Sequence, residues 1–219
     1  MVLYLALQNT YQAVEIALLQ DEEIIDQVIL DKTEASKQLI LALDELLKRH
    51  DQNFSSISFL AVNQGPGPFT TLRVVISTVN GIAFALKKPL VGIDGLEGLL
   101  AEYENDQNTM VLALLNAFHH DVYYAFKMQT QIEKGYDNIE HLLAKLQSRT
   151  QQKMLVIGNG GALYQSKLSH VFGDQVEINS AHETVSLQQI ARLGLQQWHR
   201  GIHSPQLMPL YLKRAFYTL

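Results

Sequence analysis

Gln64-Gly65-Pro66-Gly67-Pro68-Phe69-Thr70-Thr71-Leu72-Arg73 joins an apolar, strand-like run at 57–62 to a long helical pattern, and the fold turns on how that junction is read. Two glycines bracket a proline where the chain must change direction sharply. Gly65 and Gly67 can take φ > 0 without a Cβ penalty, Pro66 fixes its own φ, and Thr70 or Thr71 can cap the helix that follows. A rigid strand-loop-helix corner is expected, with Gly65, Pro66, Gly67, Phe69, Thr70 and Arg73 as its structural residues. The unpaired N–H groups of a first helical turn suit such a corner to an anion, although a tight turn held for packing explains the same residues. It is neither a Walker loop, Gly-x-x-x-x-Gly-Lys-Ser/Thr, nor a dinucleotide fingerprint, Gly-x-Gly-x-x-Gly.

Upstream, residues 2–7, 12–19 and 23–30 read as three short strands rich in Val, Ile and Leu, of lengths that suit an antiparallel meander. Asp31-Lys32-Thr33-Glu34 has capping-box spacing, and Ala35, Leu39, Ala42, Leu43, Leu46 and Leu47 follow with a 3.6-residue period. A helix at about 70–86, ended by Pro89, completes a βββαβα order. A short strand at 90–93 and a helix at 95–103 lead into the turn-forming stretch 104–108, which sets expected lobes of 1–104 and 105–219, with the C-terminal segment packing back on the first lobe. Beyond it, strands at 109–115, 121–127 and 129–133, a helix at 138–148, a strand at 154–157, the turn Gly158-Asn159-Gly160-Gly161 and a helix at 186–200 repeat the order. Two facing βββαβα lobes describe an α/β chain of the actin-like ATPase, or ribonuclease H-like, duplication.

With 219 residues, 47% hydrophobic and 18% charged, the chain can bury a sizeable core. It has no Cys, hence no disulfide, thiol nucleophile or thiolate metal site, which suits a reducing compartment; cytoplasm is the expected location. Neither export nor membrane insertion is expected: residues 1–4 lack a basic leader, and the apolar run 74–86 carries Ser77, Thr78 and Asn80. A net charge of -5 has the wrong sign for holding nucleic acid alone, so any such role needs a partner's basic surface.

The corner resembles Gly-Pro-Gly-Ser-Phe-Thr-Gly-Leu-Arg of the TsaB (YeaZ) family, with Pro68 for the usual Ser and Thr71 for the usual Gly. The likeness continues through Ala42-Leu43-Asp44-Glu45-Leu46-Leu47, Asp121-Val122-Tyr123, Gly158-Asn159-Gly160 and Pro209-Leu210-Tyr211-Leu212-Lys213, in order along the whole chain. The resemblance implies a non-catalytic relative of TsaD/Kae1, a scaffold subunit that supports the TsaD-type transferase in tRNA threonylcarbamoyladenosine modification beside the anticodon. It also implies a TsaD-like partner in a heterodimer, a TsaE-like ATPase in the larger complex, tRNA reached through that complex, and a homodimer when the partner is missing.

Departures from the family pattern bear on chemistry. Where its first strand ends in Asp-Thr this chain has Gln8-Asn9, and its second-lobe Asp-Ala-Arg is Asn116-Ala117-Phe118 here. Both changes remove a carboxylate of the kind that positions magnesium and water around a nucleotide, so autonomous ATP hydrolysis is not expected. The catalytic relative's helical His-x-Glu-Gly-His aligns with Gly95-Leu96-Glu97-Gly98-Leu99, which lacks both imidazoles, so no metal and no cofactor are expected. His119 and His120 read as exposed turn residues, and His199 and His203 as straddling a helix end without a third ligand. No Gly-x-Ser-x-Gly elbow is present, which disfavours peptidase action.

Partner docking is expected on the first lobe's two helices. Ile40, Leu41 and Leu47 widen the apolar arc of one; Leu72, Val75, Ile76 and Val79 line the other, beside a small-residue ridge of Ser77, Gly81 and Ala85. The resemblance implies that these helices pair with their equivalents in TsaD. Arg73, in a first helical turn where a cation is unfavourable, is expected to have an acidic partner within the fold or across an interface. The competing reading is an autonomous small-molecule kinase or ATPase of the actin-like class, with Gly158, Gly160 and Gly161 as a weak nucleotide contact. A metallopeptidase is a weaker third.

Overall fold

Two five-stranded sheets with one shared strand order organise the chain in the computed structural model, which describes residues 1–103, 109–128, 131–149 and 152–212. In the first, β1 (Leu3–Asn9), β2 (Ala13–Gln20) and β3 (Glu23–Asp31) form an antiparallel meander. α1 (Ala35–Lys48) then leads to β4 (Leu60–Asn63), and α2 (Phe69–Leu86) to β5 (Leu90–Ile93). The order is β3-β2-β1-β4-β5, parallel from β1 to β5. After α3 (Gly95–Leu100), the second sheet repeats the scheme with β6 (Thr109–Asn116), β7 (Asp121–Met128), β8 (Gln131–Asn138), α4 (Ile139–Gln147), β9 (Lys153–Ile157), α5 (Asn159–Leu163), α6 (Gln165–Phe172) and β10 (Val176–Asn179). Its order, β10-β9-β6-β7-β8, is the first read from the opposite edge. This is the ribonuclease H-like duplication the pattern implies, with a fifth strand in each half. β10 and α6 went unread because a four-residue strand carries too little periodicity.

The chain divides into two compact units, Met1–Gly95 with Ser186–Leu210, and Leu96–Val185 with Tyr211–Leu219. The boundary stretch 104–108, the first two residues of the strand expected at 129–133, and Lys213 lie outside the described residues.

Alternation along β1 explains the first unit's layering. Leu5 and Leu7 join Val14, Ile16 and Leu18 beneath α1 and α2, where Leu39, Leu43, Leu46, Leu72, Val75 and Val79 complete one core cluster. Each fully buried leucine there contributes on the order of 2 kcal/mol. Tyr4 points the other way, toward α7 (Leu187–His199), and its hydroxyl donates to the Ala191 carbonyl at 3.2 Å. The Tyr4, Phe59 and Trp198 rings stack at 4.5 and 4.8 Å, and a Cβ on Gly194 would stand 2.4 Å from Ala61 Cβ, so α7 lies almost against the β4 backbone.

Two expected caps are corrected. Asp31 Oδ1 accepts from the Thr33 N–H and hydroxyl, closing a turn, while α1 begins after Glu34 with no side-chain cap. The α2 cap position is Pro68, so neither Thr70 nor Thr71 serves. Side-chain caps occur instead at Asn138, which accepts from the Glu140 N–H, and at Ser186, which accepts from the Gln189 N–H.

Candidate functional site

The corner at Gly65 is held by polar groups that converge from four segments. Asn63, the last residue of β4, accepts the Gly65 N–H at 2.8 Å and donates to Gln8 Oε1 at 2.6 Å. Gly95 N–H donates to the Gly65 carbonyl at 2.8 Å. Gln64 is bound on both sides by the chain's late segment: its carbonyl accepts the Leu210 N–H, and its side-chain amide donates to the Met208 carbonyl. Asn80 makes a matching pair of hydrogen bonds with the Leu207 backbone, each 2.9 Å. Gly65 has φ +96°, as a left-handed corner requires. Gly67 does not, and its glycine is needed for space: a Cβ would stand 3.0 Å from Asn9 Nδ2.

At the end of β1, Gln8 and Asn9 are buried amides, and the Asn9 side-chain atoms are sealed from solvent without a partner. An amide offers neither the negative charge that holds magnesium nor a general base, so this end of the sheet has polar groups without acid–base capacity. Gly95 sits against the Asn63 side chain, 2.7 Å from where its Cβ would be. Among the described residues no three His, Cys, Asp or Glu side chains come together as metal ligands do. His119 and His120 form a turn, and His203 rests against the Trp198 ring just past the end of α7.

The helices above the corner have two faces of different kinds. Leu47, Leu72, Val75, Ile76 and Val79 lie in the unit's own core, so they support α1 and α2 from beneath. Of the residues singled out for docking, Ile40 (60% exposed) and Leu41 (55%) face solvent. They are joined by three residues that periodicity did not single out: Phe69, Phe84 (78%) and Leu86. Ser77, Gly81 and Ala85 are also exposed, and nothing lies within 4 Å of a Cβ built on Gly81, so this stretch of α2 presents bare backbone. The missed signal was the composition of α2 as a whole. With a mean hydropathy of 1.5 it is long and apolar enough to cross a membrane by length and composition, yet 39% of it is buried. A core helix of that apolarity has no polar stripe left for water.

Arg73 stands on the same outward side, its guanidinium 4.5 Å over the Phe69 ring. Among the described residues it has no carboxylate partner, so the acidic partner expected within the fold is replaced by an aromatic face. Lys87, which ends α2 in a left-handed conformation, sits likewise 4.9 Å over the Phe84 ring. Two cations therefore flank the exposed apolar surface.

In the second unit, Gly158 (φ +87°), Gly160 and Gly161 mark the tight entry to α5. Added Cβ atoms would stand 2.6 Å and 2.7 Å from the Leu114 carbonyl at the first two, and 3.1 Å from Val156 at the third. All three are explained by close approach of α5 to β6 and β9.

A family model described as TsaD, tRNA N6-adenosine threonylcarbamoyltransferase, matches residues 30–207. Relatives of similar length are the tRNA threonylcarbamoyladenosine biosynthesis protein TsaB of Haemophilus influenzae, 25% identical over 95% of this chain and 92% of that protein, and TsaB of Bacillus subtilis, 24% identical over 96% and 94%. A solved structure, a Pseudomonas aeruginosa protein described as similar to peptidase YEAZ, superposes with a TM-score of 0.74 at 22% identity, covering 97% of this chain and all of that one.

Proposed function

The chain belongs to the TsaD family of tRNA N6-adenosine threonylcarbamoyltransferases, and we propose that this member is a non-catalytic scaffold that docks a TsaD-type subunit in tRNA threonylcarbamoyladenosine modification. One observation carries the reading: α1 and α2 hold Ile40, Leu41, Phe84 and Leu86 in solvent above a fully packed core. Leaving that much apolar surface wet is costly, and a rigid two-helix platform with a bare-backbone strip suits two further helices laid against it. Arg73 and Lys87 at its margins call for carboxylates on the partner.

The chemistry of the chain supports a supporting role. Gln8 and Asn9 stand where the resembled family has Asp-Thr, and Gly95 and Leu99 where the catalytic relative has histidines. Transfer is then the partner's work, tRNA is reached through the complex, and a TsaE-like ATPase supplies turnover, all in the cytoplasm. Without the partner, the same face closes a homodimer. The competing reading, an autonomous kinase or ATPase, has the fold in its favour and the amides at the β1 end against it.

Light scattering after size exclusion, on the chain alone and mixed with a TsaD-like protein, tests the proposal. A heterodimer is expected, lost in Leu41→Glu and Phe84→Glu. No complex with the unaltered chain, or magnesium-dependent ATP turnover by the chain alone, sinks the scaffold reading.

A further inference from the structure

We propose that the second unit binds a nucleoside monophosphate group in the pocket between the β6–β7 turn and the junction of α5 with α6. The cavity measures about 610 Å³, within the range of small-ligand sites, and lies wholly within that unit. Phe118, Leu163 and Tyr164 give it an apolar wall; His119, His120 and Lys167 give it cationic and hydrogen-bonding groups. A flat heterocycle stacks on an exposed aromatic ring, and a phosphate takes donors from imidazole and ammonium. The lining supplies both halves of such a ligand.

The turn is the second, independent observation. Asp121 N–H donates to the Phe118 carbonyl at 3.0 Å, with φ +54° at His119 and +67° at His120, a type I′ hairpin turn. Asn-Gly suits that turn; here His-His fills it, and Phe118 before it is left-handed too, at +62°. Each such conformation is unfavourable for a residue bearing a Cβ. Packing does not compensate, because Phe118 is 52% exposed and both imidazoles face solvent. The matching turn of the first unit, between β1 and β2, closes without left-handed residues: Thr10 Oγ1 accepts from the Gln12 and Ala13 N–H groups. The strained turn is also held firmly. Asn116 accepts the Phe118 N–H, Asn159 accepts the Asn116 N–H, and the His120 carbonyl accepts the Ile139 N–H. Three side chains are thus presented at a fixed place on the surface at a conformational cost.

Lys167 is paired with Glu140, and a bound phosphate would compete with that carboxylate for it. The nucleotide has two sources, a free nucleotide or one unit of single-stranded RNA, and the pocket stands whether or not the docking reading above holds.

Titrations of the full chain with AMP, adenosine, inorganic phosphate and a single-stranded oligoadenylate, followed by calorimetry and amide NMR, test it. AMP should bind more tightly than adenosine or phosphate, with shifts at residues 116–120 and 163–167. The double variant His119→Asn, His120→Gly supplies the residues the turn favours, so it should keep or raise Tm while weakening AMP at least tenfold. Phe118→Ala and Lys167→Gln should each weaken it several-fold, and they carry the test if the double variant is unstable. Tighter binding of the oligonucleotide assigns the site to RNA; equal or weaker binding assigns it to free nucleotide. Absence of binding by both, or affinity unchanged across the variants, overturns the proposal.

Discussion

In the first unit α1 and α2 turn Ile40, Leu41, Phe84 and Leu86 toward solvent, whereas in the second the helices at the equivalent places, α4 and α6, turn out Glu140, His141, Gln147, Ser169 and His170. Strand order and helix placement are shared, and the undersides match too: Leu39, Leu43 and Leu46 in one, Leu142, Leu143 and Leu146 in the other. The difference is confined to the outer surface. A duplicated fold keeps its core pattern because packing demands it, while each outer face answers to whatever covers it. By that measure the first unit's helices are built for a partner and the second's for water.

The largest test of the contrast between inner and outer residues uses one helix. Val79→Glu places an unpaired carboxylate in the core and should cost about 4 kcal/mol or more in denaturant unfolding, whereas Phe84→Glu, five residues on, should leave stability nearly unchanged. If both unfold the protein, α2 has no free face and the contrast fails. Next in size is the outer surface itself. Phe84→Ala or Leu41→Ala should weaken the TsaD-type complex by about 10- to 100-fold, the range of an aromatic or aliphatic anchor, while His170→Glu on α6 leaves it unchanged. Equal loss from both units would erase the asymmetry.

A smaller effect probes the second unit's packing. Gly160→Ala drives a methyl toward the Leu114 carbonyl and should destabilise by about 1–3 kcal/mol, as overpacking does, and the α5 amides should lose hydrogen-exchange protection. Smallest is an electrostatic tie at the back of α1. The His50 hydrogen bond, with the Arg49 charge beside it, lowers the pKa of Asp26. A lowered carboxylate pKa stabilises above the unfolded value of 3.8 and is lost as pH falls through the folded value. Asp26→Asn should therefore cost less than about 1 kcal/mol at pH 7, with the difference from the unaltered protein fading below about pH 4.

The core was legible because two periods write it into the chain: every third or fourth residue from Ala35 to Leu47, and short Val, Ile and Leu runs for the strands. Leu72, Val75, Ile76 and Val79 were legible as apolar, but not as inward, since α2 is apolar nearly all round and its period is blurred. Phe84 and Leu86 escaped notice for the same reason. The corner's turn was readable from Gly65, but the reason for Gly67 was not, because Asn9 approaches it from 58 positions earlier in the chain. His119 and His120 gave no backbone signal, since a I′ turn announces itself through Asn and Gly.

The return of Ser186–Leu210 to the first sheet has a consequence for how the protein is made. When the ribosome has delivered Met1–Gly95, the side of β1 bearing Tyr4, together with Phe59, has no cover, because α7 and Trp198 are still unsynthesised. The intervening span Leu96–Val185 takes several seconds to translate at about 5–20 residues per second. Through that interval the nascent chain carries an open hydrophobic sheet face, and the last helix to leave the ribosome closes the first unit to be made.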